Sequence, residues 1–217
     1  NISCDIVGGR NLGLLGHNGA GKTSLLRVMA GIYPPSEGTV STRGSIGCLI
    51  EMSTGLSAEM TGREVIKHQI LMNDADESEW DSITQEIADF TELGSYLGLP
   101  TRTYSSGMRA RLVAALATAW PRDILLVDEG LGAGDEKFHE KFAERLERYL
   151  GDAKLLILAS HNLALLRQYC THGLVLSRGE KVFYGPIEDA IEYYRSPEYL
   201  GALGEPDIHP TEVMGNE

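Results

Sequence analysis

Apolar residues run along this chain in two rhythms, short solid blocks and helix-spaced patches. The solid blocks are "NLGLL" (11–15), "SIGCLI" (45–50), "DILLVD" (123–128) and "KLLILAS" (154–160). Continuous apolar runs of this length predict strands covered on both faces, as in a parallel sheet. "NISCDIV" (1–7) predicts a short strand before a "GG" turn (8–9), and "TV" (39–40) predicts another. Helical spacing governs 22–30, which Gly31 and the "PP" at 34–35 stop, and later "EKFHEKFAERLERYL" (136–150) and "NLALLRQYC" (162–170). From about 52 to 102 the pattern is helical throughout, in "REVIKHQILM" (63–72) and "EWDSITQEIADFTEL" (79–93). A further helix starts at "YSSGMRARL" (104–112), where Ser and Gly favour a helix start and the following Ala and Leu favour its interior. "GLVLSRGEKVFYG" (173–185) predicts a hairpin around "RGE". "PIEDAIEYYRS" (186–196) predicts a helix with Pro186 at its first position. The Pro-, Gly- and acid-rich end of the chain predicts a loose tail.

Strands alternating with helices give an α/β fold with a mainly parallel core sheet and a helical insert. A length of 217 residues suits one such domain, and 42% hydrophobic residues suffice for its core. A net charge of −12 disfavours direct binding to nucleic acid or to an anionic membrane surface. No apolar run approaches the about 18–20 residues that span a bilayer, and the chain opens with no signal segment. Cys4, Cys48 and Cys170 lack disulfide or metal spacing and read as thiols buried as small hydrophobes. The six histidines form no pair at metal-ligand spacing. The whole reads as soluble and cytosolic.

"GHNGAGKT" (16–23) matches G-x-x-x-x-G-K-[ST] between a predicted strand and a predicted helix. Its glycines let successive backbone N–H groups face phosphate. Lys22 reaches the β- and γ-phosphates of a nucleoside triphosphate, and the Thr23 hydroxyl suits Mg²⁺. "ILLVDE" (124–129) places acids at the carboxyl end of a buried strand, where α/β sheets bind ligands. There Asp128 would hold Mg²⁺ through water and Glu129 would polarise the attacking water. His161, after the strand in "ASHN", is by itself either a polar cap of a strand end or a contact to the γ-phosphate. The helix start at "YSSGM" is a second anion site.

The order of phosphate loop, helical insert, "YSSGM", "ILLVDE", "GAGD" (132–135) and "SH" resembles the ATPase subunits of ABC transporters, over nearly the whole chain to about Ser196. The resemblance implies a P-loop NTPase fold of the ABC type over 1–196. The helical insert would lie at about 52–115, and 197–217 would be a loose acidic tail. It implies ATP and Mg²⁺ as cofactors, with Gly16, His17, Asn18, Gly19, Ala20, Gly21, Lys22, Thr23 and Ser24 around the nucleotide. Thr23, Asp128 and Glu51 would attend the metal, and Glu129 and His161 the hydrolysis. Ser105, Ser106, Gly107 and Met108 stand at the family's LSGGQ signature, departing at its first, third and fifth positions. Asp135 stands at the D-loop and His161 at the switch histidine. Glu51 falls where the family usually has glutamine, which adds charge near phosphate. Arg109 and Arg111 read as a solvated face. In the family fold the signature meets the γ-phosphate bound by a second copy, so two chains would sandwich two ATP molecules head to tail.

"GIYPPSEGTV", "MTGREV", "YSSGMRARL", "DEGLGAGDEKF" and "GPIEDAIEYY" together look like the exporters of capsule, O-antigen and teichoic acid. That implies multi-span permease partners and a peripheral place on the cytoplasmic face of the bacterial inner membrane. The family's adenine-stacking aromatic precedes the loop, and this sequence has no aromatic residue before Gly16, so it reads as N-terminally short. Two other readings stay open from the residues alone: a soluble ABC-type ATPase acting on nucleic acid or ribosomes, and a nucleotide-binding module that does not hydrolyse.

Overall fold

The computed structural model of this protein describes residues 2–50, 57–128 and 136–202. They fall into two compact units.

The first unit comprises 1–50, 123–129 and 154–217, and is built on the sheet. The apolar blocks form β1 (Leu12–Leu15), β2 (Ile46–Leu49), β3 (Ile124–Val127) and β4 (Leu155–Ala159). A two-residue turn at Arg178 and Gly179, both at positive φ, joins β5 (His172–Ser177) to β6 (Glu180–Pro186). This is the backbone twist that a tight hairpin requires. The strand order is β2-β3-β4-β1-β5-β6, with β6 antiparallel to β5 and every other pairing parallel. Consecutive leucines in β1 and β3 are buried, so their side chains are covered on both sides of the strand. One cluster holds Leu12, Leu14, Leu26, Leu126 and Ile157. Another holds Leu15, Leu166, Val175, Ile191 and Tyr199.

Helices α1 (Lys22–Met29), α6 (Leu163–Tyr169) and α7 (Ile187–Arg195) belong to this unit. The Asn162 side chain caps α6 by accepting from Ala164 N and Leu165 N. Gly173 lets α7 lie close on β5, since a Cβ there would stand 2.4 Å from the Ala190 Cβ. Pro186 is the residue before α7 and not its first position.

The second unit, 51–122 with 130–153, is helical. It contains α2 (Gly62–Met72), α3 (Trp80–Thr91), α4 (Ser106–Ala117) and α5 (Glu136–Asp152). Thr61 and Glu64 form a reciprocal capping box at the start of α2, and the backbone and hydroxyl bonds from Thr61 hold the Glu64 carboxyl below its ordinary range. The core joins Val65, Ile66 and Ile70 to Ile87, Phe90, Leu112, Phe138 and Phe142. Arg145 of α5 lies over the Phe90 ring, pairs with Glu86, and donates from Nε to Thr118 Oγ1 at 2.6 Å.

Several expectations are corrected. Residues 2–7 are not a strand. Ile2 and Ile6 touch the sheet core, but no backbone ladder holds the segment, and Lys181 Nζ donates to Ser3 O instead. Residues 39–40 are exposed and unladdered. The start of the supposed tail is helical: α8 (Pro197–Ala202) packs through Tyr199, a residue 1% exposed. Residues 203–217 lie outside the described residues. Of the three cysteines only Cys170 is buried, and burial pushes its thiol up to about 12. Cys48 is exposed. Arg111 is not on a solvated face. Its guanidinium lies over the Phe138 ring and its side chain is 18% exposed, because α5 supplies an aromatic surface there.

Candidate nucleotide site

Because β4 lies between β3 and β1, the carboxyl ends of these three parallel strands are neighbours. Each end delivers one chemical feature: the glycine-rich loop after β1, Asp128 after β3, and His161 after β4. This is the edge of an α/β sheet at which ligands bind.

Gly16 leaves β1 where no side chain fits. A Cβ there would stand 2.7 Å from the Leu176 carbonyl oxygen and 2.8 Å from the Ala20 Cβ. The loop then turns through Gly19 and Gly21, with Gly21 at φ 103° as the N-cap of α1. Lys22 is folded back along the loop. Its Nζ donates to Gly16 O at 2.6 Å and to His17 O at 3.3 Å, and lies 3.1 Å from His161 Nε2. Lys22 and Asp128 are each only 9% exposed. Burying an ammonium and a carboxylate is costly unless both are bonded, and both are. Thr23 Oγ1 donates to Asp128 Oδ2 at 2.5 Å, while Asp128 N donates to Leu49 O at 3.0 Å and fixes that backbone.

The loop therefore brings a fixed ammonium, a hydroxyl–carboxylate pair and an imidazole to one place, with backbone N–H groups at a helix start. Such a set suits a polyphosphate: amides and ammonium for oxyanions, hard oxygen donors for a hard divalent cation, and an imidazole beside the ammonium. The bonds of Lys22 to Gly16 and His17 show that its head lies along the loop.

A family model described as ABC transporter matches residues 1–132. The chain belongs to the ABC transporter family. The O-antigen export system ATP-binding protein of Yersinia enterocolitica is 41% identical over 181 residues, covering 81% of this chain and 76% of that protein. A teichoic acids export ATP-binding protein of Bacillus anthracis is 36% identical over 194 residues. That match covers 89% of this chain but only 35% of the relative, so this ABC chain spans about a third of that protein's length. Among solved structures, a dimeric bacterial ABC transporter cassette aligns with a TM-score of 0.70 at 22% identity, over 86% of this chain and 89% of the other. At that identity the likeness concerns the fold.

The remaining residues expected at the site of this ABC chain are distributed as follows. His17 is half-buried, its Nδ1 2.7 Å from Asn18 O, and Asn18 and Ser24 are exposed. Ser105, Ser106, Gly107 and Met108 start α4 in the helical unit. There Ser105 Oγ accepts from Met108 N at 3.2 Å, and both serines are exposed. Glu51, Glu129 and Asp135 lie outside the described residues. Sequence reasoning missed two contacts to the loop: Gly179 N donates to Ala20 O at 2.9 Å, and His17 N donates to the Tyr199 hydroxyl at 3.1 Å. The hairpin motif located Gly179 without showing its partner. Tyr199 carries no signal in the sequence beyond being an aromatic residue in a segment that reads as a loose tail.

Proposed function

We propose that this chain is the ATP-hydrolysing motor subunit of an ABC exporter of a cell-surface polysaccharide. The observation that carries the reading is the convergence of Lys22, the Thr23–Asp128 pair and His161 at the ends of β1, β3 and β4. The export systems named among its relatives supply the cargo class. Lys22 neutralises the β- and γ-phosphates. Thr23 and Asp128, with Glu51, would hold Mg²⁺, which would supply positive charge against the phosphate oxygens. Glu129 takes a proton from the attacking water, and His161 contacts the γ-phosphate. Ser105–Met108 and Asp135 complete the site of a second copy, giving a head-to-tail dimer. Multi-span permease subunits hold that dimer at the cytoplasmic face of the inner membrane.

Lys22→Ala tests the centre of this reading. No other group in residues 16–23 carries a fixed full positive charge. The variant is expected to bind MgATP at least about tenfold more weakly and to release no phosphate above background, as loss of a buried charge-assisted contact implies. Phosphate release at the wild-type rate would overturn the assignment.

A further inference from the structure

Tyr199 sits where the last described helix meets the phosphate loop. Ser196 and Pro197 start α8. Ser196 Oγ accepts from Tyr199 N at 3.2 Å, and Pro197 has no N–H to leave unpaired. The Tyr199 ring is packed beside Tyr193 and Tyr194, with centroids 6.2 Å and 5.1 Å away, in the cluster that also holds Leu15, Val175 and Ile191. Its hydroxyl donates to Leu176 O at 2.9 Å and accepts from His17 N at 3.1 Å.

We infer that Tyr199 is a positioning residue of the nucleotide site, holding the Gly16–His17 peptide in the orientation that seats Lys22. The inference rests on the nucleotide reading of the loop. The His17 N–H and the Gly16 C=O belong to one planar peptide unit, so fixing one fixes the other. Gly16 O is the atom to which Lys22 Nζ donates at 2.6 Å. The Tyr199 hydroxyl thus acts on the ammonium through a single rigid plane. Leu176 O, which accepts from Tyr199, also lies against Gly16 at the spot a Cβ would fill. At the far end of the loop, Gly179 N holds Ala20 O. Both ends of the loop are therefore tied to the β5–β6 hairpin, directly at Ala20 and through Tyr199 at His17.

Tyr199→Phe keeps the ring and removes only the bridging oxygen. Its expected effect is MgATP and MgADP binding weakened about three- to tenfold, the loss of one buried hydrogen-bond bridge. Binding is measured directly with a fluorescent nucleotide on the full chain. Ile191→Val is the control, since it thins the same cluster by one methylene and removes no hydrogen bond to the loop. It should lower the melting temperature and leave nucleotide affinity unchanged. Wild-type affinity in Tyr199→Phe overturns the inference. So does a loss of affinity that merely follows melting temperature in both variants. A wild-type chain that binds no MgATP overturns the nucleotide reading itself, whereas normal wild-type binding with an unaltered Tyr199→Phe overturns only the role of Tyr199. Amide exchange at His17 in the wild-type chain gives a second measurement should the variant fold poorly. Protection is expected there, and exchange at the rate of an open loop refutes the bridge.

Discussion

Asp123 ties together the starts of three strands. Its carboxylate accepts from Ser45 N at 2.8 Å ahead of β2 and pairs with Lys154 Nζ at 2.7 Å ahead of β4, while its own residue leads into β3. The Lys154 ammonium first, then the Ser45 backbone and hydroxyl, lower its pKa from 3.8 to about 2. A carboxylate with a lowered folded pKa contributes stability above its unfolded value, and that contribution is lost as pH falls from about 3.8 toward about 2. Asp123→Asn removes the titrating group. The wild type should therefore exceed the variant in urea midpoint at pH 5, and the gap should narrow from about pH 4 downward. A gap that stays constant between pH 5 and pH 3 means the carboxylate is not held as described.

The strands were legible because runs such as "ILLV" and "LLILA" are too short for a helix and too apolar for a strand with one wet face, and the loop was legible because its glycines stand between one such run and a helix. Other elements depended on partners far along the chain. Ile2 and Ile6 alternate as in a strand but meet the core through side chains alone. The Ser196–Pro197 start of α8 was present in the letters, but the acids and glycines beyond it outweighed it. Arg111 reads as a surface cation until α5 brings Phe138 beneath it. Arg145 is the same kind of residue, a helical cation 11% exposed on its side chain, joined to Glu86, Phe90 and Thr118. Arg145→Ala removes the guanidinium's bonds to Thr118 and its packing on Phe90, and should cost the helical unit about 2 kcal/mol. Hydrogen exchange should show faster amide exchange in α3 and α4. Unchanged protection in both helices would show that Arg145 is dispensable to their packing.

For the whole molecule, the proposed pairing of two copies can be caught by stalling it. Glu129→Gln removes the proposed base while keeping the side-chain length, so the variant should bind MgATP and accumulate as a dimer measurable by light scattering. Two strongly acidic bodies, −12 each in the wild type and one charge less in this variant, repel, so added salt should raise the dimer fraction, whereas direct charge pairing between copies would produce the opposite trend. In that background, with Cys4, exposed Cys48 and Cys170 replaced, cysteines at Asn18 and Ser105 should link two chains under MgATP and rarely under ADP. Links formed only within one chain, or equally without nucleotide, would refute the arrangement. The division of the chain has a further consequence for engineering. The helical unit is not one insertion but two, 51–122 and 130–153, so the backbone passes between units after residues 50, 122, 129 and 153. Phe138, Phe142 and Arg145 come from the second piece and complete the core of the first. A chimera that takes only 51–122 from a relative would graft a half-lined core onto a foreign α5, so the two segments have to be transplanted together.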